Sequence, residues 1–281
     1  MTRTLDPANR TAPASVGLVW RIIPPGLYGG RASTLVERSA LVNRRGWFVL
    51  VGGAFEPILF LWSLGLGFGQ FVASVAGPDG QPVSYAAFVA PALLAASAMN
   101  GAVYDATFNV FFKFKYAKLY DAMLATPMGP LDIAMGEIAW ALLRGGLYSA
   151  GFLAVMLGMG LIASPWALLA LPAALLVAFA FGAVGMAATT FMRSWQDFDL
   201  VQLAVLPMFL FSTTFFPLSV YPGWLQAVVT WTPLYHAIEL MRGLTLGVVG
   251  WGMLGHVVYF AVLAAVGTVV AARRLGSLLL D

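Results

Sequence analysis

Six long apolar stretches follow one another along the chain, and short polar or charged segments separate them. Most contain close to the roughly 20 residues that a helix needs to cross the hydrocarbon core of a bilayer. The strict apolar–polar alternation of an outer-membrane β-strand is absent, so the pattern predicts an all-α polytopic membrane protein with about six transmembrane helices. The predicted spans are about Trp47–Phe71, Tyr85–Phe112, Ile138–Ala163, Trp166–Met192, Val201–Phe216 and Met253–Ala272.

Two further segments precede the first span. The chain opens with polar residues interrupted by prolines, and we expect residues 1–27 to be a flexible cytoplasmic leader. In residues 28–45, Arg31, Arg38 and Arg45 recur every seven positions and therefore share one helix face. This basic stripe predicts an N-terminal interfacial helix over Tyr28–Arg45.

The stretch FSTTFFPLSVYPGWLQ, residues 211–226, is almost wholly apolar, but prolines and a glycine interrupt it before a helix could cross a bilayer. Irregular backbone exposed to lipid would leave N–H and C=O groups unpaired, at a cost of several kcal/mol each. Residues 217–250 are therefore predicted to form an outer re-entrant or interfacial helical hairpin between helices 5 and 6. Its two helices are expected at about Pro222–Thr232 and Leu234–Leu244.

Composition agrees with a membrane location, because 60% of the 281 residues are hydrophobic and only 10% are charged. An ordinary soluble domain carries about 25% charged residues. Lysine and arginine cluster before the first span, after the second and fourth spans, and after the last one. The positive-inside rule then places both termini in the cytoplasm, with Arg242 as an exception on the outer side.

Several kinds of chemistry are excluded by what the sequence lacks. With no cysteine, the chain cannot form disulfides, use a catalytic thiol or bind a metal through cysteine. It contains no G-x-x-x-x-G-K-[ST] motif, so it does not hydrolyse ATP through a P-loop of its own. A serine elbow, a zinc motif and the half-to-half repeat of many secondary transporters are absent as well.

Residues 113–137, between the second and third spans, carry an apolar ridge at helical spacing. The ridge consists of Leu119, Tyr120, Met123 and Leu124. Pro127 disfavours helical geometry in the residue before it, while Pro130 and Asp132 suit the first turn of a new helix. We expect a short helix, a sharp turn and a second helix that leads into the third span. An exposed apolar ridge favours partner docking over a free surface loop.

Polar residues within the spans are candidates for function. A charged carboxylate as deep as Glu56 costs about 2.5–3.5 kcal/mol on insertion scales, so Glu56 is either a pathway or gating residue or a structural hydrogen-bond partner. Asn100 and Asp105 lie nearer the cytoplasmic edge of the second span. Glu137 and Arg144 share a face of the third helix, which favours a structural ion pair between them.

His236 and Glu239 lie three residues apart on a predicted helix and could be half of a metal site. The only other histidine, His256, is distant in sequence, so we expect no metal site here.

Four stretches in order resemble the permease subunits of ABC-2 type ABC exporters, in the branch of the nodulation lipooligosaccharide exporter and the daunorubicin-type drug and lipid exporters. EPILFLWSLGLGFG (residues 56–69) is similar to the first span of that family, and YDAMLATPMGPLDIAMGEIAW (residues 120–140) to its cytoplasmic coupling region. FSTTFFPLSVYPGWLQ resembles its outer element, in which a glycine is common where Thr213 stands. TPLYHAIELMRG (residues 232–243) resembles the segment that follows.

The resemblance implies that residues 28–281 form an ABC-2 transmembrane domain in a bacterial cytoplasmic membrane. Its partners would be a separate ABC nucleotide-binding ATPase subunit, a second permease as homodimer or heterodimer, and membrane lipids, with no nucleic acid. The chain would be a transport subunit and not an enzyme. It would bind no cofactor, since ATP and magnesium would belong to the ATPase. The implied substrate is amphipathic, such as a lipid, a glycolipid or a hydrophobic drug.

The same resemblance assigns residues to two roles. Coupling to the ATPase would involve Leu119, Tyr120, Asp121, Met123, Leu124, Thr126, Pro127 and Asp132. The translocation path and its gate would involve Glu56, Asn100, Phe215, Phe216 and Pro217.

Two other functions stay open from the residues themselves. His236, Glu239 and Arg242 could form the outer-face site of an intramembrane lipid-modifying enzyme. The chain could also be a non-catalytic channel or assembly subunit, which would conduct without ATP.

Overall fold

The computed structural model describes residues 30–43, 47–72 and 74–279, and the predicted leader at residues 1–27 lies outside the described residues. The described part is mostly helical. Its α-helices are α1 Ala32–Asn43, α2 Trp47–Gly67, α3 Tyr85–Tyr104, α4 Leu119–Leu124, α5 Pro130–Gly158, α6 Ala170–Thr189, α7 Asp197–Phe211, α8 Gly223–Val229, α9 Pro233–Leu246 and α10 Gly252–Leu279.

Shorter elements complete the chain trace. After α3 the helix continues through two π-helical segments, Asp105–Asn109 and Phe112–Tyr116. Between α2 and α3, β1 (Val75–Ala76) pairs antiparallel with β2 (Pro82–Val83). Three-residue and five-residue 3₁₀ turns lie after α2, before α6 and before α8.

Within the described residues, four helical stretches are long and apolar enough to cross a membrane. They are Tyr85–Tyr116, Pro130–Gly158, Pro165–Thr189 and Gly252–Leu278. The first and fifth predicted spans coincide with α2, of 21 residues, and α7, of 15 residues. The fifth helix starts at Asp197, earlier than predicted. Two acidic residues, Asp197 and Asp199, occupy its first turn, where negative charge is favourable at a helix N-terminus. The Asp197 carboxylate also accepts the backbone N–H groups of Arg193 and Ser194 in the preceding turn. The count of six spans stays a prediction.

The core of the bundle is built around α3, which packs against α2, α5, α6 and α9. Its buried side chains include many alanines, which allow neighbouring helices to approach closely. Helix α6 packs in turn against α10, where Gly267 faces the α6 backbone. A Cβ atom at Gly267 would lie only 2.8 Å from the carbonyl carbon of Ala183, so this contact requires a glycine.

Helix α1 lies within the predicted Tyr28–Arg45 segment and packs on the start of α5. Leu35 is buried there and faces Gly136, where an added Cβ would come within 2.8 Å of the Leu35 Cβ. Arg31 and Arg38 are exposed, as expected of a basic stripe, whereas Arg45 lies outside the described residues. The position of helix α1 at a membrane interface stays a prediction.

Two helical pairs that the sequence predicted are present. The first is α4 followed by a turn and α5, where Pro130 occupies the first turn and the Asp132 carboxylate accepts the backbone N–H of Gly129. The second is α8 followed by α9, close to the predicted bounds. Whether the α8–α9 pair re-enters the membrane stays a prediction.

Candidate functional site

A cavity of about 880 Å³ lies between α2, α3, α5 and α7. Polar side chains line part of its wall, namely Glu56, Ser97, Asn100, Asp105, Thr107, Arg144, Tyr148 and Gln202. Aromatic side chains line much of the rest, namely Phe60, Tyr104, Phe108, Trp195, Phe198 and Phe209. The cavity therefore offers both polar and apolar surface inside a bundle of apolar helices.

The two path residues that the sequence proposed within the first and second spans meet in this cavity. Glu56 from α2 and Asn100 from α3 both line it, and both are exposed in the single chain. The pathway roles of both residues stay predictions.

Charged side chains at the cavity wall and next to it are paired across helices. Arg144 on α5 forms an ion pair with Asp105, whose Oδ1 also accepts a 2.7 Å hydrogen bond from Asn109. Glu137 pairs instead with Lys113, at 2.6 Å between Nζ and Oε2. The predicted ion pair between Glu137 and Arg144 is therefore wrong, because each side chain reaches a partner on the α3 extension rather than along its own helix.

Aromatic rings cluster at each of the two ends of the cavity. At the end near the start of α7, Phe108 lies 4.9 Å from both Tyr104 and Trp195, measured between ring centroids. At the other end Phe209 contacts Phe60 at 6.4 Å and Phe215 at 5.3 Å. Phe215 thus packs directly against the cavity lining.

The other two predicted gate residues lie farther out. Phe216 is exposed and Pro217 is partly exposed, and neither lines the cavity. Sequence reasoning missed Arg144, Trp195 and Phe198 as lining residues. Only the aromatic residues around the charged Arg193–Asp199 segment could have pointed to the last two.

The turn that follows α7 is buried although it is polar. Ser212, Thr213 and Thr214 have at most 1% exposed surface. Thr213 has a backbone φ of 63°, in the left-handed region that a β-branched residue rarely adopts. Its hydroxyl oxygen has no hydrogen-bond partner within the part of the chain that the structure describes.

Arg242 on α9 is the side chain that holds this turn. Its Nη2 donates to the Thr213 carbonyl oxygen at 2.9 Å, and its Nη1 donates to Glu239 Oε1 at 2.8 Å. Nε and Nη2 each approach the Phe88 carbonyl oxygen on α3 at 3.4 Å, and the guanidinium carbon lies 3.8 Å from the centroid of the Phe88 ring. Arg242 is 2% exposed, so it is a buried, paired charge and a poor indicator of topology.

At the opposite end of the bundle, the apolar ridge of α4 is not free. Tyr120 and Met123 are buried, while Leu119 and Leu124 are partly buried against the same cluster of α3-extension, α5, α6 and α10 side chains. The Tyr120 hydroxyl donates to Glu137 Oε1 at 3.2 Å. Burial raises the pKa of Tyr120, and the nearby Glu137 charge raises it further. The ridge therefore anchors α4 to its own chain.

Asp132 is likewise internal and joins three segments. Its two carboxylate oxygens accept the backbone N–H groups of Arg31 and Gly129, each at 2.8 Å. The Arg31 guanidinium also donates to the Pro127 carbonyl oxygen at 3.0 Å. Of the predicted coupling residues, Asp121, Thr126 and Pro127 are the exposed ones.

The histidines are closer together than the sequence suggested. The Nδ1 atoms of His236 on α9 and His256 on α10 lie 2.8 Å apart, and the His236 ring lies 4.4 Å from that of Tyr259. Glu239 turns instead to Arg242. Within residues 30–43, 47–72 and 74–279, no group of three or more histidine or carboxylate side chains could hold a metal ion.

Several membrane-length apolar helices, with a partly open cavity between them, define a multi-pass helical membrane protein. Residues 31–246 match the family model described as ABC-2 type transporter. The chain therefore belongs to the ABC-2 type transporter family, which makes it a transport subunit rather than an enzyme.

Named relatives agree with this membership. Nodulation protein J of Rhizobium leguminosarum bv. trifolii is 34% identical over 199 residues, which cover 70% of this chain and 74% of that protein. Nodulation protein J of Rhizobium leguminosarum bv. viciae is 32% identical over 235 residues, covering 80% of this chain and 87% of that protein. A probable doxorubicin resistance ABC transporter permease of Mycobacterium tuberculosis is 25% identical over 226 residues, covering 77% of this chain and 78% of that protein.

Proposed function

We propose that the chain is the permease subunit of an ATP-driven exporter that moves an amphipathic molecule, such as a lipid, a glycolipid or a hydrophobic drug, across the bacterial cytoplasmic membrane. The observation that carries this proposal is the cavity between α2, α3, α5 and α7 in a member of the ABC-2 family. Its wall combines carboxylate, amide and guanidinium groups with aromatic rings, which suits a molecule that has both polar and apolar parts.

The proposed orientation places the α4 end in the cytoplasm and the α8–α9 end outside. Basic residues support it, because Lys113, Lys115 and Lys118 lie at the α4 end. Six spans, with α2 and α7 as the first and fifth, then leave both termini in the cytoplasm. Substrate would enter near Trp195 and Phe198, and Phe209 with Phe215 would close the outer end.

Energy would come from a separate ATP-binding subunit, because this sequence contains no P-loop. We assign the contact with this ATP-binding subunit to the exposed side of α4 and the turn that follows it, at Asp121, Thr126 and Pro127. Tyr120, Met123 and Asp132 would shape this element from inside rather than touch the partner. The Tyr120 hydroxyl on α4 donates to Glu137 on α5, and Arg31 donates to the Pro127 carbonyl oxygen in the turn after α4. A push on α4 would therefore reach the third span through side chains already in contact.

Site-specific photocrosslinking in the native membrane tests this assignment. A photoreactive amino acid in place of Asp121 should capture one soluble protein that carries a P-loop. The control places the same probe at Trp231, which is 82% exposed at the α8–α9 end of the bundle. This control should not capture the P-loop protein. Adducts from position 121 that contain no P-loop protein would contradict the coupling assignment.

A further inference from the structure

We propose that Arg242 is a positioning residue that fastens the Ser212–Thr214 turn to α3 and α9 and so keeps the outer end of the cavity closed. The inference rests on the proposed function, because only a transport path gives this turn something to close. Arg242 itself lies outside the cavity lining and acts through the turn.

A single guanidinium group joins three separate elements. It donates to the Thr213 carbonyl after α7, to Glu239 on its own helix and, at longer range, to the Phe88 carbonyl on α3, while it stacks on the Phe88 ring. The planar guanidinium has five donors in a fixed geometry, whereas a lysine ammonium cannot reach all of these partners at once. The arrangement therefore depends on arginine and not only on a positive charge.

The turn needs such an external partner. A β-branched residue in the left-handed region persists only where the surrounding structure holds it, and Thr213 does so with φ at 63°. Two further hydrogen bonds flank it, between the hydroxyls of Ser212 and Thr232 at 2.8 Å and from the Thr214 hydroxyl to the Phe209 carbonyl at 2.7 Å. Arg242 supplies the bond to the residue between them.

The position of the turn decides where Phe215 lies. Phe215 follows the turn directly and packs on Phe209, which lines the cavity. If Arg242 no longer holds the Thr213 carbonyl, the turn and Phe215 gain freedom, and the cavity becomes reachable from the α8–α9 side. The expected consequence is that reagents on the outer side reach the cavity, and not only that the protein loses stability.

The absence of native cysteine makes this testable with single-cysteine reporters. Ser97→Cys places a thiol in the cavity, and Trp231→Cys places one on an exposed surface. A membrane-impermeant methanethiosulfonate reagent is added outside energy-depleted spheroplasts that carry the full chain with its native partners. We expect R242K and R242Q to accelerate labelling of the Ser97→Cys thiol by about tenfold, the effect of a modest population shift, with Trp231→Cys unchanged.

Two controls separate positioning from general destabilisation. Met241→Ala removes a buried neighbour on α9 and should lower the melting temperature without exposing the cavity thiol. Thr213→Gly retains the carbonyl that Arg242 binds, so its labelling should stay at the wild-type rate. If the Arg242 variants do not accumulate, Phe88→Leu removes the stacked ring and should itself accelerate labelling.

If R242K and R242Q are labelled at the wild-type rate, the proposal is overturned. If those two variants do not accumulate, labelling of Phe88→Leu at the wild-type rate overturns it instead. Equal acceleration by Met241→Ala would overturn it as well. The proposed function is tested separately in the wild-type background, where trapping the ATP-hydrolysing state with vanadate should change labelling of the Ser97→Cys thiol. No change on trapping would count against transport, whatever Arg242 does.

Discussion

Thr213 shows at the scale of one residue how the outer turn balances strain against contacts. Its backbone lies in the left-handed region, its side chain is buried, and its hydroxyl has no partner within the described residues. Glycine adopts this conformation without steric cost, although it loses more entropy on folding. The three features together predict that threonine is a destabilising choice at this position.

Replacing Thr213 by glycine should raise the stability by about 1 kcal/mol, because relief of 1–3 kcal/mol of backbone strain exceeds the added entropy cost. Thermal unfolding of the purified protein in one detergent measures this as a higher melting temperature. Thr214→Gly is the matched control and should lower it, since Thr214 donates a hydrogen bond to the Phe209 carbonyl. A lower melting temperature for Thr213→Gly would contradict the strain argument.

Glu137 illustrates a second residue-scale effect, at the α4 end. One carboxylate oxygen accepts from Lys113 and the other from the buried Tyr120 hydroxyl. Glu137→Ala should cost about 2 kcal/mol, because it leaves both donors without this acceptor, whereas Tyr120→Phe removes one bond and should cost about 1 kcal/mol. Unfolding measurements on both variants check the order, and an equal or reversed loss would show that the pairing contributes little.

Close backbone approach dominates the contact between α6 and α10 at the scale of elements. Gly267→Ala would place its Cβ 2.8 Å from a backbone carbon of α6, which cannot move as a flexible side chain could. Overpacking of this kind costs about 1–3 kcal/mol. Gly255→Ala on the same helix meets no atom within 4 Å and should be neutral or slightly stabilising. Equal effects of the two substitutions in thermal unfolding would refute the close approach.

The contact between helices α9 and α10 should make the stability of the fold depend on pH. Burial lowers the pKa of His236, and repulsion from His256 lowers it further. Because the folded pKa lies below the unfolded value near 6.5, this contribution to stability is complete above about pH 6.5 and is lost as the pH falls below it. Tyr235, Tyr259 and the Glu239–Arg242 pair are the other titratable groups around the contact.

Melting temperatures between about pH 7.5 and pH 5.5 test this dependence. The wild type should lose stability over that interval, and His236→Gln should lose less because the His236 ring no longer titrates. The same pH dependence in both proteins would place its origin elsewhere.

Local signals in the sequence predicted elements better than partners. The turn between α4 and α5 follows from Pro127, Pro130 and Asp132, which act on their immediate neighbours, and the structure has it. The hydrogen bond from Tyr120 to Glu137 and the one from Arg242 to Thr213 join residues on different elements that lie far apart in sequence. The spacing of residues within one helix does not predict such contacts between elements. The same limitation explains why Arg144 pairs with Asp105 and not with Glu137.

At the scale of the whole molecule, the described part has a different character at each end. One end carries α1, α4 and the start of α5, joined by Asp132 and Arg31, with Asp121, Thr126 and Pro127 exposed. The other carries α8, α9 and the buried turn after α7. The mixed polar and aromatic cavity lies between them, which is the arrangement that a transport subunit driven from one end requires.

We propose that a separate ATP-binding subunit drives this permease through the α4 end. The most direct measurement is quantitative mass spectrometry of the chain purified from its native membrane in mild detergent. We predict a soluble P-loop ATPase subunit in equal amount to the permease chains, with ATP hydrolysis in the same fraction. A chain that purifies alone in several mild detergents, without hydrolysis and without a crosslinked ATPase, would contradict the claim.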